Sequence, residues 1–108
     1  MTATVRAMKR KAAKRPAPRT VTFTAPEDSD YAGWEVTAKA DFPAKVLIQL
    51  QSERMTDIIA ALDRIVVSHN LPDENDDIAE SMGEVDPYDG LMDMATGVFD
   101  ALSKLPNR

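Results

Sequence analysis

A chain of 108 residues without cysteine has room for one small domain, and it excludes a disulfide framework, a thiolate metal site and a thiol nucleophile. Its apolar content of 44% is enough for a small core but not for a large enclosed active site. No apolar run approaches the roughly 18 residues of a membrane span, and the basic N-terminus lacks the apolar segment of a signal peptide, so we expect a soluble, intracellular protein.

The charges of the chain are divided between a basic arm and an acidic body. Residues 1–19 contain no acidic residue but seven of the thirteen basic ones: Arg6, Lys9, Arg10, Lys11, Lys14, Arg15 and Arg19. All eighteen acidic residues follow, between Glu27 and Asp100. Because residues 1–19 contain two prolines and offer no apolar face to bury, we predict a disordered arm. Such an arm solubilises the protein, folds back on its own domain, or contacts nucleic acid or an acidic protein surface.

Two short strands are predicted after the arm. Thr20 to Ala25 alternates β-branched and aromatic residues, as a strand with one buried face does. Trp34 to Ala40 alternates again, and its apolar residues share one face: Trp34, Val36, Ala38 and Ala40. The turn-rich segment 26–33 joins the two strands into an antiparallel ribbon. An isolated ribbon is only marginally stable, so this one must pack on another element.

The segment 44–51 fits either a helix or a third strand. Asp41 can cap a helix and Pro43 suits its first turn, which makes residues 44–51 a candidate helix. The apolar run 46–48 suits a strand equally well, and periodicity does not distinguish the two over so short a run. Both interpretations stay open from the sequence alone.

The clearest element is a helix from Met55 to Ser68. Its apolar residues recur at steps of three and four and form a stripe that should face the core: Met55, Ile58, Ile59, Leu62, Ile65 and Val66. His69 and Asn70, followed by Pro72, should end the helix. Leu62 lies in the middle of the stripe, where a charge should be most damaging.

A second principal helix is predicted from Pro87 to Leu105. Asp86 suits the N-cap and Pro87 the first helical position. Gly90 and Gly97 weaken this helix by up to about 1 kcal/mol each relative to alanine, and a glycine within a helix often allows close packing. Together the elements predict an α+β domain over residues 20–106, with a small antiparallel β element packed on two principal amphipathic helices.

The sequence has little catalytic potential. Its one histidine, His69, should lie at the end of the first long helix as a C-terminal cation or a partly buried polar group, because no nucleophile or orienting partner accompanies it. No phosphate-binding glycine loop, nucleophile-elbow motif or zinc-binding helix motif occurs. We therefore expect neither an enzyme nor a cofactor.

Residues 73–84 resemble an EF-hand calcium loop in part. Oxygen ligands fall at positions 1, 3, 5 and 12 of the template: Asp73, Asn75, Asp77 and Glu84. However, Ile78 stands where the sharp turn of the template needs glycine, and the next helix begins too late to include Glu84. We therefore predict an acidic connector between the two long helices, with Ile78 and Met82 against the core, and no specific metal site.

The layout of the domain resembles a family of phage proteins. Three segments carry the resemblance: G-W-E-V-T-A-K (33–39), I-V-V-S-H-N-L-P-D-E-N-D (65–76) and Y-D-G-L-M-D-M-A-T-G-V-F-D-A-L-S-K-L-P (88–106). The arrangement is similar to the short tail assembly chaperones of long-tailed bacteriophages, in which a helix commonly runs into a v-v-x-W-n-l-x-d-e-x-G segment. The motif is confined to Val66 to Asp76. There His69 replaces the usual aromatic residue, and Asp76 and Asp77 stand in place of the usual glycine.

The resemblance implies a non-enzymatic protein that acts in the host cytoplasm during virion assembly. Members of the family coat the tape-measure protein while it is soluble and recruit tail-tube subunits, so these two proteins are the implied partners. A longer form, made by ribosomal frameshifting, commonly carries the tube-binding extension. Apolar stripes rich in methionine adapt to varied partners, which makes four residues candidates for partner binding: Met82, Leu91, Met92 and Phe99. Met55 and Met94 are expected in the core, and homo-oligomers are compatible with the sequence.

Two other functions fit the same sequence. A structural head or tail component would use the basic arm to touch DNA or neighbouring subunits, and a small nucleic-acid-binding regulator would use residues 6–19. Binding through several phosphate contacts weakens steeply between roughly 50 and 200 mM salt, so salt dependence identifies a regulator. Co-purification with a long helical partner, with or without the arm, identifies a chaperone.

Overall fold

Alternating apolar and polar residues build a three-stranded antiparallel sheet in the order β1–β2–β3. The computed structural model describes residues 19–105. In this range the strands are β1 (Thr20–Thr24), β2 (Glu35–Lys39) and β3 (Val66–His69). The helices are α1 (Lys45–Leu50), α2 (Met55–Ile65) and α3 (Tyr88–Ser103), and a short 3₁₀ turn spans Met82–Glu84. The predicted α+β class, with a small β element packed on two principal helices, is confirmed.

The domain begins at Arg19, one residue before its predicted start at residue 20. The backbone N–H of Arg19 donates to Asp41 Oδ2 at 3.0 Å, and its carbonyl accepts from the Ala40 N–H at 2.8 Å. Arg19 therefore extends the β1–β2 pairing and does not belong to the arm. The other six basic residues of the arm, and its predicted disorder, lie outside the described residues.

The two faces of the sheet differ in polarity because its strands alternate. Val36 and Ala38 of β2 face the helices and are buried, which confirms the predicted apolar face. The opposite face carries hydroxyl groups, and Thr22 Oγ1 lies 2.9 Å from Thr37 Oγ1 across the β1–β2 pair. The apolar face thus fixes where the helices pack, and the threonine face remains open to solvent.

The third strand comes from a segment that the sequence assigned to a helix. The prediction of a helix from Met55 to Ser68 is wrong at its C-terminal end, since α2 stops at Ile65 and Val66 has an extended backbone (φ −71°, ψ 125°). Two β-branched valines follow each other here, and β-branched side chains favour extended structure. Pairing with β2 gives their backbone groups hydrogen-bond partners, apart from a bulge at Val67.

The ambiguous segment 44–51 is helical. Lys45–Leu50 forms α1, so the strand interpretation of residues 46–48 is wrong. Asp41 does not cap this helix, because its carboxylate accepts the Arg19 N–H and the N-cap position is Ala44. Ser52 lies before α2, where its hydroxyl accepts the Arg54 N–H at 3.0 Å and donates to the Asp57 carboxylate at 2.8 Å.

Helix α3 crosses the apolar face of the sheet, with β1 and β2 as its main contacts. It begins at Tyr88 and ends at Ser103, slightly inside the predicted range, and Pro87 is its N-cap. Gly90 lies against the Trp34 ring and Gly97 against the Phe23 ring, so closely that an added methyl group would overlap either ring. The expectation that these glycines allow close packing is confirmed.

The connector between β3 and α3 is an ordered loop that contributes to the core. Leu71, Ala79, Met82 and Val85 are buried, whereas Ile78 is 63% exposed. The prediction that Met82 packs on the core is confirmed, and the same prediction for Ile78 is wrong. Ile78 pairs with Pro72 across the loop, which turns its neighbour Ala79 inward instead. Asp63 of α2 accepts the Met82 N–H at 2.8 Å and ties the loop to the helix.

Candidate functional site

A cleft of about 510 Å³ lies between the β1–β2 loop and α3. It opens to solvent and is lined from both sides. The strand and loop contribute Phe23, Ala25, Pro26, Ser29 and Tyr31, and α3 contributes Asp93, Met94, Thr96, Gly97, Phe99 and Asp100. We call it the acidic cleft, because aromatic rings and carboxylates are its most distinctive groups.

The aromatic part of the acidic cleft depends on the two glycines of α3. Because Gly97 has no side chain, the Phe23 ring lies directly on the helix. At Gly90, Trp34 takes the same position, and its ring centroid is 4.7 Å from that of Tyr31 at a tilt of 45°. Aromatic pairs favour such tilted arrangements. The sequence thus places three rings from β1 and the loop along one helix.

Three aspartates of α3 lie in or near the acidic cleft. Asp89, Asp93 and Asp100 lie at i, i+4 and i+11 of α3, a spacing that puts them on its exposed side. The pKa of the Tyr31 hydroxyl is raised, first by desolvation and then by the negative charges of Asp89, Asp93 and Asp30. Asp93 and Asp100 belong to the lining of the cleft, whereas Asp89 and Asp30 lie outside it. The rim of the cleft is therefore strongly negative.

Only part of this negative charge is neutralised within residues 19–105. Asp100 forms an ion pair with Lys104 one turn away, at 2.9 Å. Asp89 and Asp93 have no ion-pair partner in the described part of the chain. The cleft therefore retains an unneutralised carboxylate, Asp93, beside aromatic residues, and Asp89 lies one turn away on the same helix.

This combination suits the recognition of cationic side chains. A guanidinium or ammonium group is attracted both to carboxylates and to the faces of aromatic rings. The polar side chains that line the cleft are two carboxylates, a phenol and two hydroxyls.

The candidate partner-binding residues divide into two pairs. Met82 and Leu91 are each only 2% exposed, so both side chains belong to the core of the described domain. Met92 and Phe99 are half-buried on α3, and Phe99 lines the cleft. Sequence periodicity identified apolar positions correctly but did not separate the buried side of the helix from its flank.

The sequence did not reveal the acidic cleft because its two sides are far apart along the chain. Tyr31 and Asp93 are separated by about sixty residues, and only the packing of β1 on α3 brings them together. The sequence of α3 nevertheless contains two features that are consistent with such a cleft. The aspartates recur on one side of α3, and Gly90 and Gly97 stand one heptad apart, where rings can approach the helix.

A second exposed surface lies on the helical hairpin of α1 and α2. Leu47 is 36% exposed, Ile48 72% and Met55 43%. The expectation that Met55 lies in the core is wrong, because it is the first residue of α2 and precedes the buried part of the stripe. Met94, by contrast, is 1% exposed, as expected. We call Leu47, Ile48 and Met55 the hairpin patch.

His69 has a structural role. It lies in β3 and not at a helix terminus, so the prediction of a C-terminal helix cation is wrong, while its half-buried state agrees with the alternative. Its Nδ1 accepts the Leu71 N–H at 3.0 Å. Desolvation lowers the pKa of His69, although a hydrogen bond with the Ala79 backbone and the Asp63 carboxylate act in the opposite direction.

The acidic connector uses its first carboxylate to shape the loop. Asp73 Oδ1 accepts the N–H groups of Asn75 at 2.8 Å and Asp77 at 3.1 Å. Asp76 adopts a positive φ of 65°, which aspartate tolerates better than most residues. Glu84 accepts from the Ser81 hydroxyl at 3.1 Å, in a separate turn. Within residues 19–105, no group of three or more ligating side chains is arranged to hold a metal ion.

Between residues 19 and 105, none of the helices combines the length and apolarity needed to cross a bilayer. Comparisons with protein-family models, with curated proteins and with solved structures found no match to this chain.

Proposed function

We propose that the protein is a phage tail assembly chaperone, a non-enzymatic factor that binds a tape-measure protein in the host cytoplasm and helps to recruit tail-tube subunits. The resemblance in layout and in the Val66 to Asp76 segment supports this choice of partner. The hairpin patch is the single structural observation that carries it. An assembly factor needs apolar surface that stays exposed until its partner arrives.

The hairpin patch offers such a surface. Val46 and Leu50 of α1 are buried and hold the helix on the domain, while Leu47 and Ile48 between them point outward. Single exposed aliphatics are common on protein surfaces, but here three occur within nine residues on two helices that contact each other. A long amphipathic partner helix can lay its own apolar stripe on such a patch.

The motif that carries the resemblance has a structural role in this chain. The Asn70 side chain accepts the Glu35 N–H at 2.7 Å and donates to the Gly33 carbonyl at 2.9 Å. It therefore fastens the end of β3 to the start of β2. We accordingly place partner binding on the hairpin patch and not on the motif.

Co-expression with the tape-measure protein of the same phage tests the proposal. We expect the two proteins to co-purify, and we expect Ile48→Gln to weaken the complex. Ile78→Gln is the matched control, because Ile78 is 63% exposed but lies on the connector, away from the hairpin. Equal effects of both substitutions, or no complex with the unmodified chain, would contradict the proposal.

The fate of the protein provides an independent test. A chaperone leaves before the virion is complete, so mass spectrometry of purified virions should not detect this chain. A structural head or tail component would remain at a fixed copy number, and that result would replace the proposal with its main competitor.

A further inference from the structure

We propose that the acidic cleft is the docking site for the basic N-terminal segment of the same chain, residues 1–18. The inference does not depend on the identity of the external partner. It rests on the chemistry of the cleft, on the charges of the two parts of the chain, and on the place where the segment joins the domain.

Charge complementarity is the first argument. Residues 19–105 carry eighteen acidic and six basic side chains, a formal charge of −12. Residues 1–18 carry six basic side chains and no acidic one. Within the domain, Asp89 and Asp93 have no ion-pair partner, and together with Asp30 they act on the same Tyr31 hydroxyl. Cations placed at this rim would relieve repulsion between neighbouring carboxylates.

The aromatic lining is the second argument, because it selects the kind of cation. Arginine and lysine bring an apolar stem and a charged head, and the head is attracted to the face of an aromatic ring within about 6 Å. Phe23, Tyr31 and Phe99 line the cleft beside Asp93. The six basic residues of the segment fall within ten positions, from Arg6 to Arg15, with only alanine between them after Met8. Such a run can offer several heads to one open cleft.

The point of attachment is the third argument. The domain begins at Arg19, and β1 runs from there to Phe23, which lines the cleft. The link from Arg15 to Arg19 spans at most about 14 Å when extended, similar to the four-residue distance along β1 from Arg19 to Phe23. A short covalent link also keeps the segment at an effective concentration in the millimolar range. Weak contacts therefore suffice to fill the cleft.

Docking has a functional consequence. While the segment occupies the cleft, its cationic groups are turned toward the domain and are less available to phosphates or to acidic proteins. A partner that displaces it would expose both the basic segment and the acidic cleft at once. Exposure of the basic segment and exposure of the acidic cleft would thus occur together.

Paramagnetic relaxation in the full-length chain tests the proposal. Because the chain has no cysteine, Ala12→Cys provides one unique site for a nitroxide label without removing a charge. At 0.01 M salt, where the Debye length is about 30 Å, we expect broadening of the amide signals of Tyr31, Thr96 and Gly97. The broadening should be lost at 1 M salt, where the Debye length falls to about 3 Å.

A matched pair of charge variants makes the test specific. Asp89→Asn with Asp93→Asn removes one carboxylate that lines the cleft and a second one turn away on the same helix, and we expect it to abolish the broadening. Asp76→Asn with Asp77→Asn removes the same charge from the exposed connector, and we expect the broadening to persist. The amide spectra themselves show whether each variant is folded. Equal loss in both variants, or broadening centred on the connector, would overturn the proposal.

Mixing experiments separate docking within one chain from docking between chains. Labelled chain without ¹⁵N is mixed with ¹⁵N chain that has no nitroxide. We expect no broadening in the mixture. Broadening there at the same cleft residues would show that the segment docks on a second copy, which would overturn the proposal as stated.

Discussion

The two principal helices meet the rest of the domain in different ways. Helix α2 supplies the bulky side chains itself, with Ala61, Leu62 and Ile65 buried in the core. Helix α3 also has a buried aliphatic stripe, but at Gly90 and Gly97 it supplies only space, and the bulky groups come from the sheet and its loop. Helix α2 packs its own side chains into the core, whereas α3 also leaves space for aromatic rings from the sheet and its loop.

The difference explains what an apolar stripe can and cannot predict. A stripe identifies the buried face of α2, because the packing atoms belong to the stripe. On α3 the same analysis treats the glycines as weak points, although their bare backbone is what allows the Phe23 and Trp34 rings to pack. The loss of helix propensity, about 1 kcal/mol per glycine, is offset by the burial of a large ring.

Truncating α2 inside its stripe should have the largest effect. Leu62 is 1% exposed, and Leu62→Ala should lower the free energy of unfolding by about 2–5 kcal/mol, since it removes buried methyl groups and leaves a cavity. Urea denaturation measures the change. Met55→Ala on the same helix is the control, because Met55 is 43% exposed and surface substitutions usually stay within about 0.5 kcal/mol. Similar losses in both variants would contradict the assignment of the core.

Adding a methyl group to α3 should have the next largest effect. It should lower the stability of the domain, although alanine has a higher helix propensity than glycine. Gly97→Ala places a methyl group in the Phe23 ring, and we expect a loss of about 1–3 kcal/mol in spite of the better helix former. In Gly83→Ala the nearest atom to the new methyl is Ile59 Cγ2 at 3.7 Å, an ordinary contact. That control should be close to neutral.

A double-mutant cycle locates the clash. Phe23→Leu removes the ring that Gly97 accommodates, so Gly97→Ala should be less damaging in the Phe23→Leu background than alone. Additive losses would mean that the added methyl group does not clash with the Phe23 ring. The close packing of that ring on Gly97 would then be wrong.

Features encoded by local periodicity could be predicted from the sequence, and features that depend on contacts between distant segments could not. The α+β class, β1, β2 and the buried stripes were predictable because local periodicity encodes them. The end of α2 was not, because Val66 continues the apolar stripe of the helix, and residues 66–69 become a strand only through pairing with β2. The acidic cleft also depends on a contact between distant segments. Met82 and Leu91 were identified as apolar, but periodicity does not say how wide a buried face is, and both side chains prove to be buried.

The attachment of the end of β3 to the start of β2 should depend on Asn70. Its side chain makes hydrogen bonds of 2.7 and 2.9 Å with the backbone at the start of β2. Asn70→Ala leaves those backbone groups without this partner, and we expect a loss of about 1–3 kcal/mol, measured by thermal or urea denaturation. Asn75→Ala removes an exposed side chain from the connector and should change stability by less than about 0.5 kcal/mol. Equal effects would show that Asn70 does not fasten β3.

The smallest expected effect is a pH dependence at the same end of β3. His69 Nδ1 accepts the Leu71 N–H and can do so only while that nitrogen is unprotonated. Desolvation lowers the pKa of His69 below its ordinary value of 6.5, so the unfolded chain binds a proton more readily than the folded chain. Stability should therefore be fully present above pH 6.5 and fall as the pH drops from 6.5 toward the lower pKa of the folded state.

His69→Asn isolates this contribution. The asparagine oxygen can accept the Leu71 N–H in a short local turn but does not titrate. His69 is the one histidine of the chain, so in this variant the slope of the unfolding free energy between pH 7 and 5.5 should become shallower. An unchanged slope would assign the pH dependence to carboxylates. In that case the protonation of His69, the last residue of β3, would not affect the stability of the folded chain.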